Sequence, residues 1–373
     1  MDWSISDRRR LRTWLAAVFL GGLVGYAYTF VMGPLMLMHH GEPSPGEALK
    51  GFRVGVVIAG LAVGFELYGM RTTIGSWLRR LSFIPAFLVR EAILATIIVA
   101  SLLLNVAFSR WLDGEQPTMS YPLHDLLIDA AFSFAVCGLI LFVIQVRQLI
   151  GARTLTNILL GRYHRPIQEE RLFAIFDLRG STRIAATIGD ERFHGLLSSI
   201  FADADREIVD HGGEVHSYVG DAMIATWPLG SEKMNGRAVV AAFAVLDGLA
   251  RRSLSNRKRF GVTPRFRAAL HGGSVIAGEC GDSKRQITYV GDVLNITARL
   301  EQLAKVIDAE FIISADMLPR LALLEDVHVL DRGEHTVNGV AKPLHVYSLA
   351  RGEPLGKRSA AAASGERVAS ARR

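Results

Sequence analysis

Four apolar stretches before residue 147 constrain this chain more than any other feature. They run Trp14 to Met36, Val54 to Met70, Phe83 to Phe108 and Leu126 to Val146. Each approaches or exceeds the roughly 20 residues that an α-helix needs to cross a hydrocarbon core of about 30 Å. Arg8, Arg9, Arg10 and Arg12 precede the first stretch, as in a signal peptide. Its apolar run is too long for one, and no small-residue cleavage site follows, so the segment is expected to stay as an anchor. The whole chain is 50% hydrophobic with mean hydropathy +0.26, and that excess is concentrated in this half.

The flanks give an orientation. Arginines cluster at the N-terminus, at Arg71, Arg79 and Arg80, and at Arg147 and Arg153. The alternate loops, His39 to Lys50 and Ser109 to Asp125, carry Glu42, Glu47, Asp113 and Glu115 and are poorer in arginine. Positive-inside logic then puts both termini in the cytoplasm, as an even number of spans requires. Glu66, Arg90, Glu91 and Asp129 lie within or at the edges of spans, where charge is costly. They are expected near the interfaces or paired within the bundle, Arg90 with Glu91 or Asp129. His39 and His40 read as a solvated loop. The net charge of +6 and pI near 9.5 come from arginines beside apolar spans and in the tail, a pattern of membrane topology without nucleic-acid binding. Cys137 and Cys280 make neither a disulfide framework nor a metal cluster.

Between Arg147 and Glu170, Leu149, Leu155, Ile158 and Leu159 predict a short amphipathic helix that Pro166 ends. The sequence leaves open whether this linker transmits a signal or only tethers. The pattern then changes. RLFAIFD reads as a buried strand ending at Asp177, followed by the turn LRGST. Phe193 to Ile208 carries apolar residues at helical spacing until Gly212-Gly213. EVHSYVGDAMIATW reads as two strands around a tight turn at Gly220-Asp221. A helix from about Asn235 to Arg251, strands FRAALHGG and SVIAGECG, and a helix starting near Val293 complete a β-α-β-β-α-β order, the ferredoxin-like arrangement.

In that topology Asp177 and Asp221 can converge on one point. Mg²⁺ takes oxygen ligands, usually one or two carboxylates plus substrate phosphates. Two metals can stabilise both the attacking and the leaving oxygen of an in-line displacement. Taken alone, a Gly-Asp in a hairpin is most often only a turn. The set FAIFDLRGST, YVGDAMIATW, LHGGSVIAGECG and YVGDVLNITARLE, in this order, resembles the class III adenylate/guanylate cyclase catalytic domain from about Leu172 to Leu349. The resemblance implies an α+β fold: a four-helix transmembrane bundle followed by a ferredoxin-like palm that works as a homodimer with interface active sites. It implies Asp177, the Leu178 carbonyl and Asp221 as ligands of two Mg²⁺ or Mn²⁺ ions per site. It also implies Asn295 as the residue that positions the ribose and Arg299 as the one that stabilises the transition state. A planar guanidinium suits that task because charge builds on the α-phosphate as pyrophosphate leaves.

The sequence departs from the family in two places. Ser217 stands where a lysine usually reads adenine, with Thr288 at the partner position; both hydroxyls can hydrogen-bond a purine. A polyphosphate-binding lysine is missing at Asn338, and Lys342 is its candidate replacement. Guanylate cyclases carry a glutamate at the first of these places, which is absent, so ATP is the expected substrate. Guanylate cyclase and nucleotide-binding pseudo-cyclase stay as alternatives. The expected organisation is a four-span domain over 1–149, a helical linker over 150–170, a catalytic domain over 171–350 and a basic tail over 351–373. The implied product is 3′,5′-cyclic AMP, and the implied setting is the cell inner membrane, with the catalytic domain in the cytoplasm.

Overall fold

The computed structural model describes residues 5–35, 45–78, 81–113, 123–150, 161–282, 286–336 and 343–351. The chain divides into two compact units, 1–155 and 156–373. Residues 151–160 of the linker, His39 and His40, Asn338, Lys342 and the tail beyond Arg351 lie outside the described residues.

The first unit contains α1 (Ile5–Leu35), α2 (Pro45–Leu67), the short α3 (Thr73–Leu78), α4 (Phe83–Asp113) and α5 (Leu123–Ile150). Four of these are long and apolar enough to cross a membrane, over 10–31, 48–67, 84–109 and 123–146. The second span begins earlier than Val54, because Ala48 to Arg53 continue the same helix. Helices α1 and α2 touch where neither has a side chain. A Cβ on Gly25 would sit 2.2 Å from the Gly51 carbonyl oxygen, and one on Gly51 2.4 Å from that of Gly25. Small residues at such crossings let backbones approach, and packing supplies the association that lipid cannot. Trp14 Nε1 donates to the Gly60 carbonyl at 2.8 Å across the same pair of helices.

The polar residues of this unit find partners, but not the expected ones. Arg90 pairs with Glu66, its Nη2 2.6 and 2.7 Å from the two carboxylate oxygens, and not with Glu91 or Asp129. Glu91 is the next residue on the same helix, and neighbours in sequence do not face each other there. Asp129 instead accepts from the Tyr28 hydroxyl at 2.6 Å. Arg53 donates to Asn105 Oδ1 and Ser109 Oγ between α2 and α4.

The second unit runs β1 (Ile167–Leu178), α6 (Ser181–Ile188), α7 (Asp190–Asp210), β2 (Glu214–Val219), β3 (Ala222–Pro228), α8 (Glu232–Arg251), α9 (Ser253–Phe260) and β4 (Phe266–Cys280). It continues with β5 (Gln286–Val290), α10 (Asp292–Val306), β6 (Phe311–Ser314), β7 (Val327–His335) and β8 (Leu344–Arg351). The sheet order is β2-β3-β1-β4-β6-β8-β7, with β5 added to β4. Its first four strands have the ferredoxin-like order, with β1 antiparallel to both β3 and β4.

β1 is buried on both faces, so it reads as an unbroken apolar run. Leu172, Ala174, Phe176 and Leu178 enter the main core with α7 and α8, whereas Phe173 joins Val275, Ala277, Tyr289 and Val293 on the opposite side. Asp177 follows Phe173 and Ile175 in that alternation and so shares the side that α10 covers.

FRAALHGG and SVIAGECG form one strand of 15 residues, not two. Gly272-Gly273 is no break, because both residues stay in register with Leu172 and Arg171. A Cβ on Gly272 would meet Leu172 Cδ2 at 2.7 Å and the Arg171 carbonyl oxygen at 3.1 Å. The glycine marks a close approach, which is the other meaning of glycine inside a strand.

Candidate active site

Asp177 is the last but one residue of β1 and only 7% exposed. Its Cα partner on β3 is Ala222, the residue after Asp221 in the hairpin turn. Adjacent strands lie about 5 Å apart, so the register sets Asp177 beside the hairpin turn that holds Asp221, at the edge of the sheet formed by the strand ends. Leu178 buries its side chain in the main core, which leaves only its backbone to serve this edge.

The Asp177 carboxylate already holds a cation. Lys305 Nζ lies 3.0 Å from Asp177 Oδ2 and 2.9 Å from Glu301 Oε1. Glu301 is only 8% exposed. Burial raises its pKa above the ordinary carboxylate range, against the opposing pull of Lys305. Burial disfavours the Lys305 ammonium, but its bonds to Glu301 and Asp177 outweigh that and hold its pKa above the usual value. The sequence reading missed this pair. A signal was present: the buried side of α10 reads Val293, Thr297, Leu300, Glu301, Ala304, and a glutamate on such a stripe needs a partner.

Asn295 and Arg299 are four apart on α10, but they do not point at Asp177. Asn295 is exposed, Arg299 half-buried, and the Arg299 guanidinium donates to Gln302 Oε1 at 3.2 Å. At 3.6 residues per turn, Arg299 and Lys305 project about 120° apart. Lys305 takes the direction of Asp177. The register therefore puts Asp177 beside the hairpin turn that holds Asp221, and Asn295 and Arg299 lie on a different face of α10 from Lys305.

Ser217 owes its direction to a β-bulge. The β2–β3 register shifts between Val215 and Ser217, so Val215 faces Ala225 and Ser217 faces Ile224. The extra residue, His216, is absorbed in between. His216 and the Tyr289 ring meet edge to face, 5.1 Å between centroids, and burial lowers the His216 pKa. Thr288 pairs with Gly278 and Tyr289 with Ala277. Strand alternation sends Thr288 to the side opposite Tyr289. The observed side-chain contact between β2 and β5 thus runs through His216 and Tyr289, the residues beside Ser217 and Thr288.

Arg171 ties this corner together. It is 4% exposed, its Nε 2.8 Å from Glu169 and its Nη1 2.9 Å from Glu214. Its guanidinium lies 5.1 Å from the centre of the Tyr289 ring. Several apolar side chains around the candidate residues are exposed: Val219 before the hairpin turn, Val290 before Gly291-Asp292, and Val306 at the end of α10, the last by 82%.

These features define a class. Residues 170–351, just under half of the chain, match the adenylate and guanylate cyclase catalytic domain, and through them the chain is similar to that family. Among individual proteins, it is 40% identical over 225 residues to Adenylate cyclase 2 of Rhizobium meliloti (strain 1021), covering 60% of this chain and 62% of that protein. It is 26% identical over 218 residues to the terminal-differentiation-specific adenylate cyclase of Dictyostelium discoideum, covering 58% of this chain and 10% of that one. The chain thus spans under two thirds of either relative. A bacterial light-regulated adenylyl cyclase of known structure shares the fold, with a TM-score of 0.50 at 20% identity over 59% of this chain and 66% of that one.

Proposed function

We propose that this chain is a membrane-anchored adenylate cyclase, converting ATP to 3′,5′-cyclic AMP and pyrophosphate at sites shared by two copies of the chain. The observation that carries the reading is the division of the site. The register puts Asp177 opposite Ala222, the residue after Asp221, while Asn295 and Arg299 lie on a different side of α10 from Lys305, which reaches Asp177. A site assembled between two copies reconciles the two halves, since an isologous dimer presents each half to the partner's other half. Val219, Val290 and Val306 are exposed near these residues, apolar surface that a second copy would cover.

The residues at the sheet edge fit a hard divalent cation. The donors are all oxygen, and the buried Asp177 carboxylate already holds the Lys305 ammonium at 3.0 Å. Asp177, Asp221 and the Leu178 carbonyl would hold two Mg²⁺ or Mn²⁺ ions, which supply charge neutralisation on the triphosphate and a more acidic ribose 3′-hydroxyl. The remaining roles belong to the chain itself. Asn295 orients the ribose so that its 3′-oxygen lies in line with the bond to pyrophosphate. Arg299, freed from Gln302, spreads its donors over the α-phosphate oxygens as negative charge builds there. Ser217 and Thr288 hydrogen-bond the purine, and Lys342 binds the polyphosphate.

Adenine is the favoured base because Ser217 and Thr288 are both hydroxyls and no glutamate stands at the first position; the 40% identical relative is an adenylate cyclase by name. The arginine-rich flanks support an inner-membrane location with the catalytic domain in the cytoplasm. The test is chromatographic detection of cyclic product from the purified full chain with ATP or GTP, in Mg²⁺ or Mn²⁺, beside Asp177→Ala. Cyclic AMP from the wild type and none from the variant is the expected result. Undiminished product from Asp177→Ala refutes the metal-site assignment, and cyclic GMP in place of cyclic AMP refutes the base.

A further inference from the structure

We propose that Lys305 is an internal counter-ion that competes with metal for Asp177, and that Glu301 is the place to which its ammonium withdraws when metal binds. This rests on the reading of Asp177 as a metal ligand.

The geometry distinguishes this from an ordinary helix ion pair. A Glu–Lys pair four apart on a solvated helix face is worth a few tenths of a kcal/mol and serves only the helix. Here Glu301 lies on the buried side of α10, and the ammonium is shared between it and a residue of β1. Both carboxylates are nearly closed to solvent. An unpaired buried carboxylate is costly, so without another cation the ammonium keeps Asp177 compensated. The Lys305 side chain is itself 44% exposed. Its flexible four-carbon stem allows the ammonium to move while α10 stays packed through Leu300 and Ala304.

An ammonium and a divalent ion cannot both sit on Asp177 Oδ2 without strong repulsion, because like charges a few ångströms apart are unfavourable. Metal entry therefore requires Lys305 to leave Asp177. Glu301 is in reach without any change in the helix, since the pair is already at 2.9 Å. Lys305 would thus set the metal concentration at which the site fills, and Glu301 would lower that concentration by accepting the displaced ammonium. Lys305 acts through Asp177 and is a positioning residue, not a catalytic one.

The two residues make opposite predictions, which a structural role would not. The experiment is a Mn²⁺ titration of the full chain in detergent micelles without nucleotide. Free Mn²⁺ is counted by room-temperature EPR for wild type, Lys305→Met, Lys305→Arg, Glu301→Gln and Asp177→Asn. Lys305→Met should bind Mn²⁺ about fivefold more tightly, the modest size reflecting the partly exposed ammonium. Glu301→Gln should bind more weakly by a similar factor, and Lys305→Arg should stay near wild type. Unchanged or weaker binding in Lys305→Met overturns the counter-ion role. Should Lys305→Met fail to fold by circular dichroism, Glu301→Gln decides: weaker binding supports the proposal, and unchanged or tighter binding overturns it. Asp177→Asn separates the two levels. A wild-type isotherm identical to that of Asp177→Asn means that Asp177 is not a metal ligand, and the reading beneath the proposal falls with it.

Discussion

Replacing Arg171 by Met removes one buried charge from between two carboxylates and the Tyr163 hydroxyl. The guanidinium is 4% exposed and binds Glu169 at 2.8 Å and Glu214 at 2.9 Å. Methionine keeps most of the volume but leaves both carboxylates facing a site built for a cation. Breaking a fully buried pair costs about 3–5 kcal/mol. Glu169 and Glu214 keep 12% and 25% of their side-chain surface, so solvent softens the penalty. Loss of the contact with the Tyr289 ring adds up to about 1 kcal/mol. A net loss of about 3 kcal/mol follows, or about 6–12 °C of melting temperature for a domain of this size. Differential scanning calorimetry of the full chain in detergent should show that drop in the catalytic-domain transition. The triple variant Arg171→Met, Glu169→Gln, Glu214→Gln leaves no unpaired buried charge, since the Arg162 that also pairs with Glu169 is exposed, and should recover most of it. A melting temperature for Arg171→Met within about 2 °C of wild type, or a triple variant no more stable than the single, refutes the argument.

Other consequences are as definite. His271 is buried beside Ser314 Oγ at 2.6 Å, and burial lowers its pKa from 6.5 to about 4. The unfolded chain therefore takes up that proton first. The stability at stake, about 3 kcal/mol, is fully present above pH 6.5 and is lost as pH falls towards 4. Thermal melts of His271→Gln should show a shallower acid loss between those values than wild type; equal slopes contradict the assignment. Gly51→Leu places a side chain where a Cβ alone would lie 2.4 Å from the Gly25 carbonyl oxygen. It should cost about 1–3 kcal/mol, read as an earlier unfolding midpoint of the span unit in an SDS titration. An unchanged midpoint would show that α1 and α2 can separate freely.

The span lengths and the βαββαβ order were legible because both are carried by local pattern: runs of apolar residues for the one, alternating periods for the other. The aspartates were legible only as a pair of strand-end and turn residues until the full motif set joined them. What stayed hidden depends on contacts between distant segments. Gly272-Gly273 looks like punctuation until Leu172 is seen packed over it. The sequence offers Arg90 Glu91 or Asp129 as partners; helix geometry excludes Glu91, the Tyr28 hydroxyl takes Asp129, and Glu66 is the partner found. The bulge at His216 moves Ser217 in register without leaving any mark in the hydrophobic pattern. Lys305 lies beyond the recognisable motif, and Glu301 signals only that a partner is needed, so the distance to Asp177 is what shows the part Lys305 has in the site.

The division of the site between two copies is the central claim, and complementation tests it most directly. Asp177→Ala and Arg299→Ala would be co-expressed as full chains with different affinity tags, and the doubly tagged species isolated and assayed for cyclic AMP. Each variant alone should be inactive. The mixed dimer has one damaged site carrying both substitutions and one intact site carrying neither, so about half the wild-type dimer's activity should return. A mixed dimer as inactive as its parents would contradict a shared site.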